Sequence, residues 1–303
     1  MHAAALGALL ALVVAVGGCP SPDADTTVTR VTDDLGRTVE ISTPVRRVVS
    51  LAPNLTEIVH AAGAGSTLVG VTKSADYPPA VDTLPTISAL PVDFEAVTAR
   101  NPDLVLATDQ INAPRDAKTF DALDVPIYFF SFTSLDDVLN AIRTTGELLG
   151  TAEAAADSAR ALQKQIEALR TRTADVQDRP RVLVLIGDDT LYAFGQGSYI
   201  HTLVELAGGR SITDSLETQA PTLSEEYVLT AKPDVILGAW GADYAPSRLL
   251  SLHPTWDIVP AVKNDRVYSL PQDLLLRPGP RLVDGARRMA HRLHPALFPS
   301  STP

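Results

Sequence analysis

AEAAADSARALQKQIEALRTRT, residues 152 to 173, runs without Gly or Pro and draws mainly on Ala, Leu, Glu, Gln and Arg, which are strong helix formers. Thr151 stands before it as a cap-like residue, and the helical reading extends over 151–178. At about 1.5 Å per residue such a helix is roughly 30 Å long, the width of a small domain. Polar turns and short apolar runs alternate on both sides of it, so the stretch reads as a bridge between two bodies.

On the N-terminal side, RRVVSLA reads as a short buried strand. Asn54-Leu55-Thr56-Glu57 then has capping-box spacing ahead of the glycine-stopped helix IVHAAGAG. LVGVT is a strand, KSADYPPAVDTLP a loop, FEAVTARN a helix and DLVLA a strand; IYFFS and a helix from about Leu135 to Leu149 complete this half. Beyond the bridge the alternation restarts with RVLVLIG, the loop DDTLYAFGQGS and the helices YIHTLVELAGG and EEYVLTAK. The strands DVILGAW and RVYSLP follow, then a last helix, RLVDGARRMAHRL. Strands alternating with helices imply parallel sheets with crossover helices. The expected fold is α/β, with two similar Rossmann-like lobes, 46–150 and 179–303, joined by a single long rigid helix.

The two halves also share a written plan. EAVTARNPDLVLA, Glu95 to Ala107, is echoed by EYVLTAKPDVILG, Glu226 to Gly238, each with a glutamate seven residues before Pro-Asp and then an apolar run. Arg47-Val48-Val49 precedes Glu95 by about the interval that separates Arg181-Val182-Leu183 from Glu226. Asp93 and Ser224 are candidate N-caps, which puts each glutamate in the first turn of a helix. There the macrodipole favours an acid by about 0.3–1 kcal/mol, and that alone accounts for either glutamate taken singly.

The 303 residues carry a net charge of -11, with 45% hydrophobic and 20% charged residues, a globular composition. The acidic balance argues against nucleic acid as a partner, because phosphate binding needs Lys and Arg to displace counterions. The chain opens MHAAALGALLALVVAVGGC, whose apolar run is short for a bilayer span and suits a secretory signal over 1–18. Cys19 is the only cysteine; it stands where the apolar run meets the polar PSPDADTT, outside any core, and forms no internal disulfide. Residues 20 to 29 read as a tether and VTDDLGRTVEI as a hairpin, so 19–45 precede the first lobe.

RVVSLAPNLTEIVHAAGAGSTLVGVTKSADYPP and WDIVPAVKNDRVYSLP resemble the substrate-binding lipoproteins of importers for cobalamin, ferric siderophores and haem, and Asp76-Tyr77-Pro78-Pro79 looks most like the cobalamin-binding members. The resemblance covers the mature chain. It implies a monomer that holds its ligand between the lobes on the periplasmic side of a bacterial membrane and delivers it to an ABC permease dimer with its ATPase. Val16-Gly17-Gly18-Cys19 resembles a lipobox, which makes Cys19 the lipidation site and lipid anchor. Glu95 and Glu226 match the surface glutamates that pair with permease arginines. Asp273 and Arg277 match polar residues that face the ligand.

Open parallel sheets bind ligands beyond the carboxyl ends of their strands. Pro53, Asn54, Tyr77, Asp109, Tyr192, Phe194 and Trp240 are expected there. A corrin is large, flat, mostly apolar and fringed with amides, so it suits aromatic and proline surfaces with a few polar groups. A siderophore pocket would instead gather Arg and Lys, and a haem pocket an axial Tyr or His, for which Tyr77 is a candidate. The histidines show no metal-ligand spacing, so neither a metal site nor an intrinsic cofactor is expected. An enzyme would need a nucleophile or acid/base set, for which Ser50, Ser198 and Asp188-Asp189 are the only suggestions. The chain has no G-x-S-x-G, Walker or G-x-G-x-x-G motif, and catalysis is not expected.

Overall fold

The computed structural model describes residues 27–241 and 243–298. The expected signal segment and Cys19 lie outside the described residues. The chain first forms an antiparallel hairpin, β1 (Thr27–Thr32) and β2 (Thr38–Thr43), so the last three residues read as tether are strand. Asp33 shapes its turn by accepting the Leu35 and Arg37 N–H groups, and the Asp34 carboxylate accepts the Ser131 N–H, tying the hairpin to the first lobe.

In the first lobe come β3 (Val48–Ser50), α1 (Pro53–Ala61), β4 (Leu68–Thr72), β5 (Thr86–Ile87), α2 (Phe94–Thr98) and β6 (Leu104–Thr108), then α3 (Ala117–Ala122), β7 (Ile127–Phe130) and α4 (Leu135–Leu148). The sheet is parallel throughout, in the order β5-β4-β3-β6-β7. The bridge is α5 (Ala152–Thr173), which stops short of the expected 178. In the second lobe, β8 (Arg181–Leu185), α6 (Tyr199–Leu206), β9 (Arg210–Ser211), α7 (Glu225–Ala231) and β10 (Val235–Gly238) lead to α8 (Pro246–Leu252), α9 (Pro260–Lys263), β11 (Val267–Ser269) and α10 (Leu282–Leu293). Its parallel sheet runs β11-β10-β8-β9. In each lobe the chain steps outward on one side of its first strand and then crosses to the other, so both sheets have a switch point beside that strand.

The bridge buries Ala155, Ala159, Leu162, Ile166, Leu169 and Thr173, a stripe at helical spacing. It packs on α4 of the first lobe and on α6 and α10 of the second. One apolar core therefore passes through both lobes by way of this helix, while each sheet covers a smaller core on its other face. Gly146 lets α4 lie close against α5: a β-carbon there would stand 2.2 Å from that of Ala155.

The repeated Pro-Asp also has a structural cause. Asn101 and Lys232, each just before a Pro-Asp, turn through the left-handed region at φ 45° and 46°. The Asp103 carboxylate accepts the Arg46 and Arg47 N–H groups, and Asp234 accepts the Arg181 N–H and grips its guanidinium at 2.9 and 3.0 Å. Each aspartate thus pins the start of the lobe's first strand to the strand it precedes, which sets Val48 opposite Leu104 and Val182 opposite Val235. Asp234→Ala should cost about 1–2 kcal/mol in chemical denaturation, allowing for the partial exposure of the pair. The Arg181 guanidinium holds the Asp234 carboxyl below its ordinary 3.8. That stabilisation is present above 3.8 and is lost as pH falls through the lower folded value, so the variant should show a shallower acid limb.

Candidate functional site

Because the strands of each lobe are parallel, the loops after them gather on one edge of each sheet. The two edges meet where the loop after β4 and the start of α1 face the segment between β11 and α10. Arg277 ion-pairs with Asp76 across this junction and with Asp273 at 3.0 Å on its own side. Arg281 donates to both oxygens of Glu57, at 2.9 and 2.7 Å, and lies 4.3 Å over the Tyr77 ring. The Asn54 amide donates to the Pro278 carbonyl at 3.1 Å. Apart from the Arg277–Asp273 pair, these contacts join residues more than 200 positions apart and tie the lobes together at the base of the cleft.

The Glu57 side chain is only 2% exposed and is the one carboxylate of α1, buried beside Leu55, Ile58 and Val59. Burial pushes its carboxyl above the ordinary range, and the Arg281 guanidinium offsets part of that effect. Asp76, better solvated, is held below the ordinary range by its bond to Arg277. Behind Glu57 and Arg281 a cavity of about 420 Å³ opens between the lobes, lined in part by His60, Tyr77, Leu162 and Pro280.

Asn54, Tyr77, Asp273 and Arg277 thus meet in one cluster, with Pro53 buried at the start of α1 above it. The expected capping box at Asn54 does not form. Pro53 opens the helix one residue earlier, Ala52 takes the N-cap position, and Asn54 is buried inside the first turn with its amide turned to the opposite lobe. Among the described residues no hydrogen bond, ion pair or ring contact joins Asp109, Tyr192, Phe194 or Trp240 to the cluster. Asp109 accepts the Ser131 hydroxyl at 2.6 Å. Phe194 is half-buried against Tyr199, whereas Tyr192 is 48% exposed at the edge. Trp240 packs on Tyr244 at 4.2 Å, and its indole N–H has no partner among the described residues. Its ring lies so close over Gly238 that a β-carbon there would stand 2.0 Å away.

A family model described as "Periplasmic binding protein" matches residues 48–274. The chain belongs to this family. It is the substrate-binding component of an ABC importer, an exported protein of periplasmic type that delivers a small ligand to a membrane permease and its ATPase and performs no catalysis. The binding protein is 30% identical over 261 residues to the vitamin B12-binding protein of Pectobacterium carotovorum subsp. carotovorum, covering 85% of this chain and 91% of that one. The crystal structure of the periplasmic vitamin B12 binding protein of Vibrio cholerae superposes with a TM-score of 0.73 at 28% identity, covering 85% and 99%. The apo periplasmic haem-binding protein of Roseiflexus sp. RS-1 superposes with 0.74 at 28% identity, covering 84% and 99%.

Glu57 and Arg281 were not among the residues expected from the sequence. The available signals were a charged residue among the apolar positions of α1 and a second arginine four residues after Arg277, in RPGPR. Glu95 and Glu226 stand where their caps put them. The Asp93 carboxylate accepts the Ala96 N–H and the Ser224 hydroxyl accepts the Tyr227 N–H, so both glutamates lie in first turns. Both are exposed and form no ion pair among the described residues. Since α2 follows β5 and α7 follows β9, each helix begins on the carboxyl side of its sheet, the side that also carries the cleft loops.

Proposed function

We propose that this binding protein captures cobalamin or a related corrinoid between its lobes, held by Pro53, Asn54, Tyr77, Asp109, Tyr192, Phe194, Trp240, Asp273 and Arg277. The observation that carries this reading is the charge balance at the base of the cleft. Arg277 and Arg281 are already matched by three carboxylates, Glu57, Asp76 and Asp273, so neither guanidinium is left to meet an anionic chelate. An amide-fringed ligand needs hydrogen-bond partners and flat apolar surfaces, and the exposed Tyr77 and Tyr192 rings suit it. The reading extends to a lipid anchor at Cys19 and to docking on a permease through Glu95 and Glu226, with one glutamate on each lobe.

Calorimetry of the form lacking residues 1–19 against cobalamin, cobinamide, haem and ferric hydroxamate or catecholate tests it. Saturable binding of the corrinoids is expected, and binding of an iron chelate alone would overturn it. Tyr77→Ala should weaken corrinoid binding about ten- to hundredfold, the value of burying one large side chain. An unchanged dissociation constant removes Tyr77 from the site. A haem reading is favoured by one observation, the 43% exposed Tyr77 at the junction of the lobes, a residue type that can ligate haem iron. Haem binding lost in Tyr77→Phe would decide for it.

A further inference from the structure

We propose that Leu90 and Ile258 are apolar anchors beside the two docking glutamates, so that the permease presents to each lobe an apolar socket rimmed by cationic groups. This rests on the docking role given above to Glu95 and Glu226. Leu90 is 77% exposed and Ile258 59%, among the most exposed large aliphatic side chains of the described residues. Single exposed aliphatics are ordinary on a protein surface. Here Leu90 lies five residues before Glu95 in a turn bonded to that helix's cap, and Ile258 lies on the short helix whose Thr255 bonds Glu225, the neighbour of Glu226.

Leu90 sits at the tip of a tight turn between β5 and α2. Ala89 bridges Val92, the Ser88 hydroxyl donates to the Pro91 carbonyl at 2.8 Å, and the Asp93 N–H donates to the Ser88 carbonyl at 3.0 Å. Asp93 is also the cap of the helix whose first turn holds Glu95. The turn and the glutamate therefore move as one piece. In the second lobe Glu225, beside Glu226, accepts the Thr255 hydroxyl at 3.0 Å and stands 2.9 Å from a ring nitrogen of the buried His253. Thr255 and Ile258 belong to one short 3-10 helix, Pro254–Ile258, where residues three apart eclipse, so Ile258 lies one turn of about 6 Å from Thr255. Trp256 of the same turn is fully buried and stacked on His253, which fixes the turn from beneath.

Each patch joins a rigidly held aliphatic tip to acidic side chains, Asp93 and Glu95 on one lobe and Glu225, Glu226 and Asp257 on the other. Such acids repel an anionic lipid surface and select a cationic protein surface, while a pre-ordered apolar tip entering a pocket supplies affinity that an exposed ion pair lacks. The charges steer the encounter and the tips slow release.

The test sets the full chain against its own permease and ATPase complex in nanodiscs, comparing Leu90→Ser/Ile258→Ser with Glu95→Gln/Glu226→Gln. The aliphatic variant should dock at least tenfold more weakly through faster release, with the salt dependence of docking and the binding of cobalamin unchanged. Wild-type docking by the aliphatic variant while the glutamate variant fails overturns this proposal and leaves the docking reading standing; wild-type docking by both removes both. A Cys19→Ser chain assayed on phosphatidylglycerol and phosphatidylethanolamine vesicles provides the other arm. Vesicle binding that disappears with Leu90→Ser/Ile258→Ser, with docking intact, would assign the tips to lipid and overturn the proposal.

Discussion

Glu95→Ala/Glu226→Ala should abolish most ligand uptake by cells, a fall of tenfold or more, while the purified variant binds its ligand as the wild type does. The physical case rests on the pair. Either carboxylate alone is accounted for by its place in a first turn, where it stabilises the helix by about 0.3–1 kcal/mol. The loss of both should therefore cost at most about 2 kcal/mol, too little to unfold a core that runs through both lobes. Helix stabilisation does not require the two glutamates to stand, unpaired, on the side of the molecule that carries the cleft. Exposed ion pairs contribute little affinity but fix orientation and speed encounter, so the variant's defect should be one of delivery rather than capture. Uptake of labelled ligand measured alongside calorimetry separates the two. Normal uptake with normal binding would end the docking hypothesis.

The residues that local physics could reach were legible in the sequence, and those set by distant partners were not. The long bridge, the parallel lobes and the caps Asp93 and Ser224 all follow from propensity, periodicity and capping chemistry that act within a few residues. The retraced plan of the second lobe is visible for the same reason, and the structure adds its cause: Asp103 and Asp234 each pin a first strand. The two-residue strands β5 and β9 are too short to show an alternation. Asn54 has the spacing of a cap, but the preceding proline starts the helix and the opposite lobe supplies the amide's partner. Glu57 finds Arg281 across 224 positions, and no local pattern announces such a pair. Of the residues expected from strand ends, only Asn54 and Tyr77 bond or stack with the opposite lobe among the described residues, and no local pattern distinguishes them from the others.

That pair supports the second large prediction. Arg281→Met should lower stability by about 3–5 kcal/mol, the cost of leaving a buried carboxylate without its partner. Glu57 is 2% exposed, so its carboxylate depends on the two hydrogen bonds from Arg281 that the variant would lose. For a chain of this size the unfolding midpoint should fall by roughly 10 °C. Glu57→Gln in the same background should recover much of the loss, because it removes the charge that burial penalises most. A coupling energy near zero in the double-mutant cycle would show that the two side chains act independently. The sign at low pH gives a further check. Burial raises the Glu57 carboxyl above its ordinary 4.5, so the cost of its charge is complete above the folded value and fades as pH falls toward 4.5. In Arg281→Met the carboxyl loses the guanidinium that opposed this shift, so the window widens upward. The variant's stability deficit should therefore shrink on mild acidification, whereas a loss of packing alone would leave a deficit independent of pH.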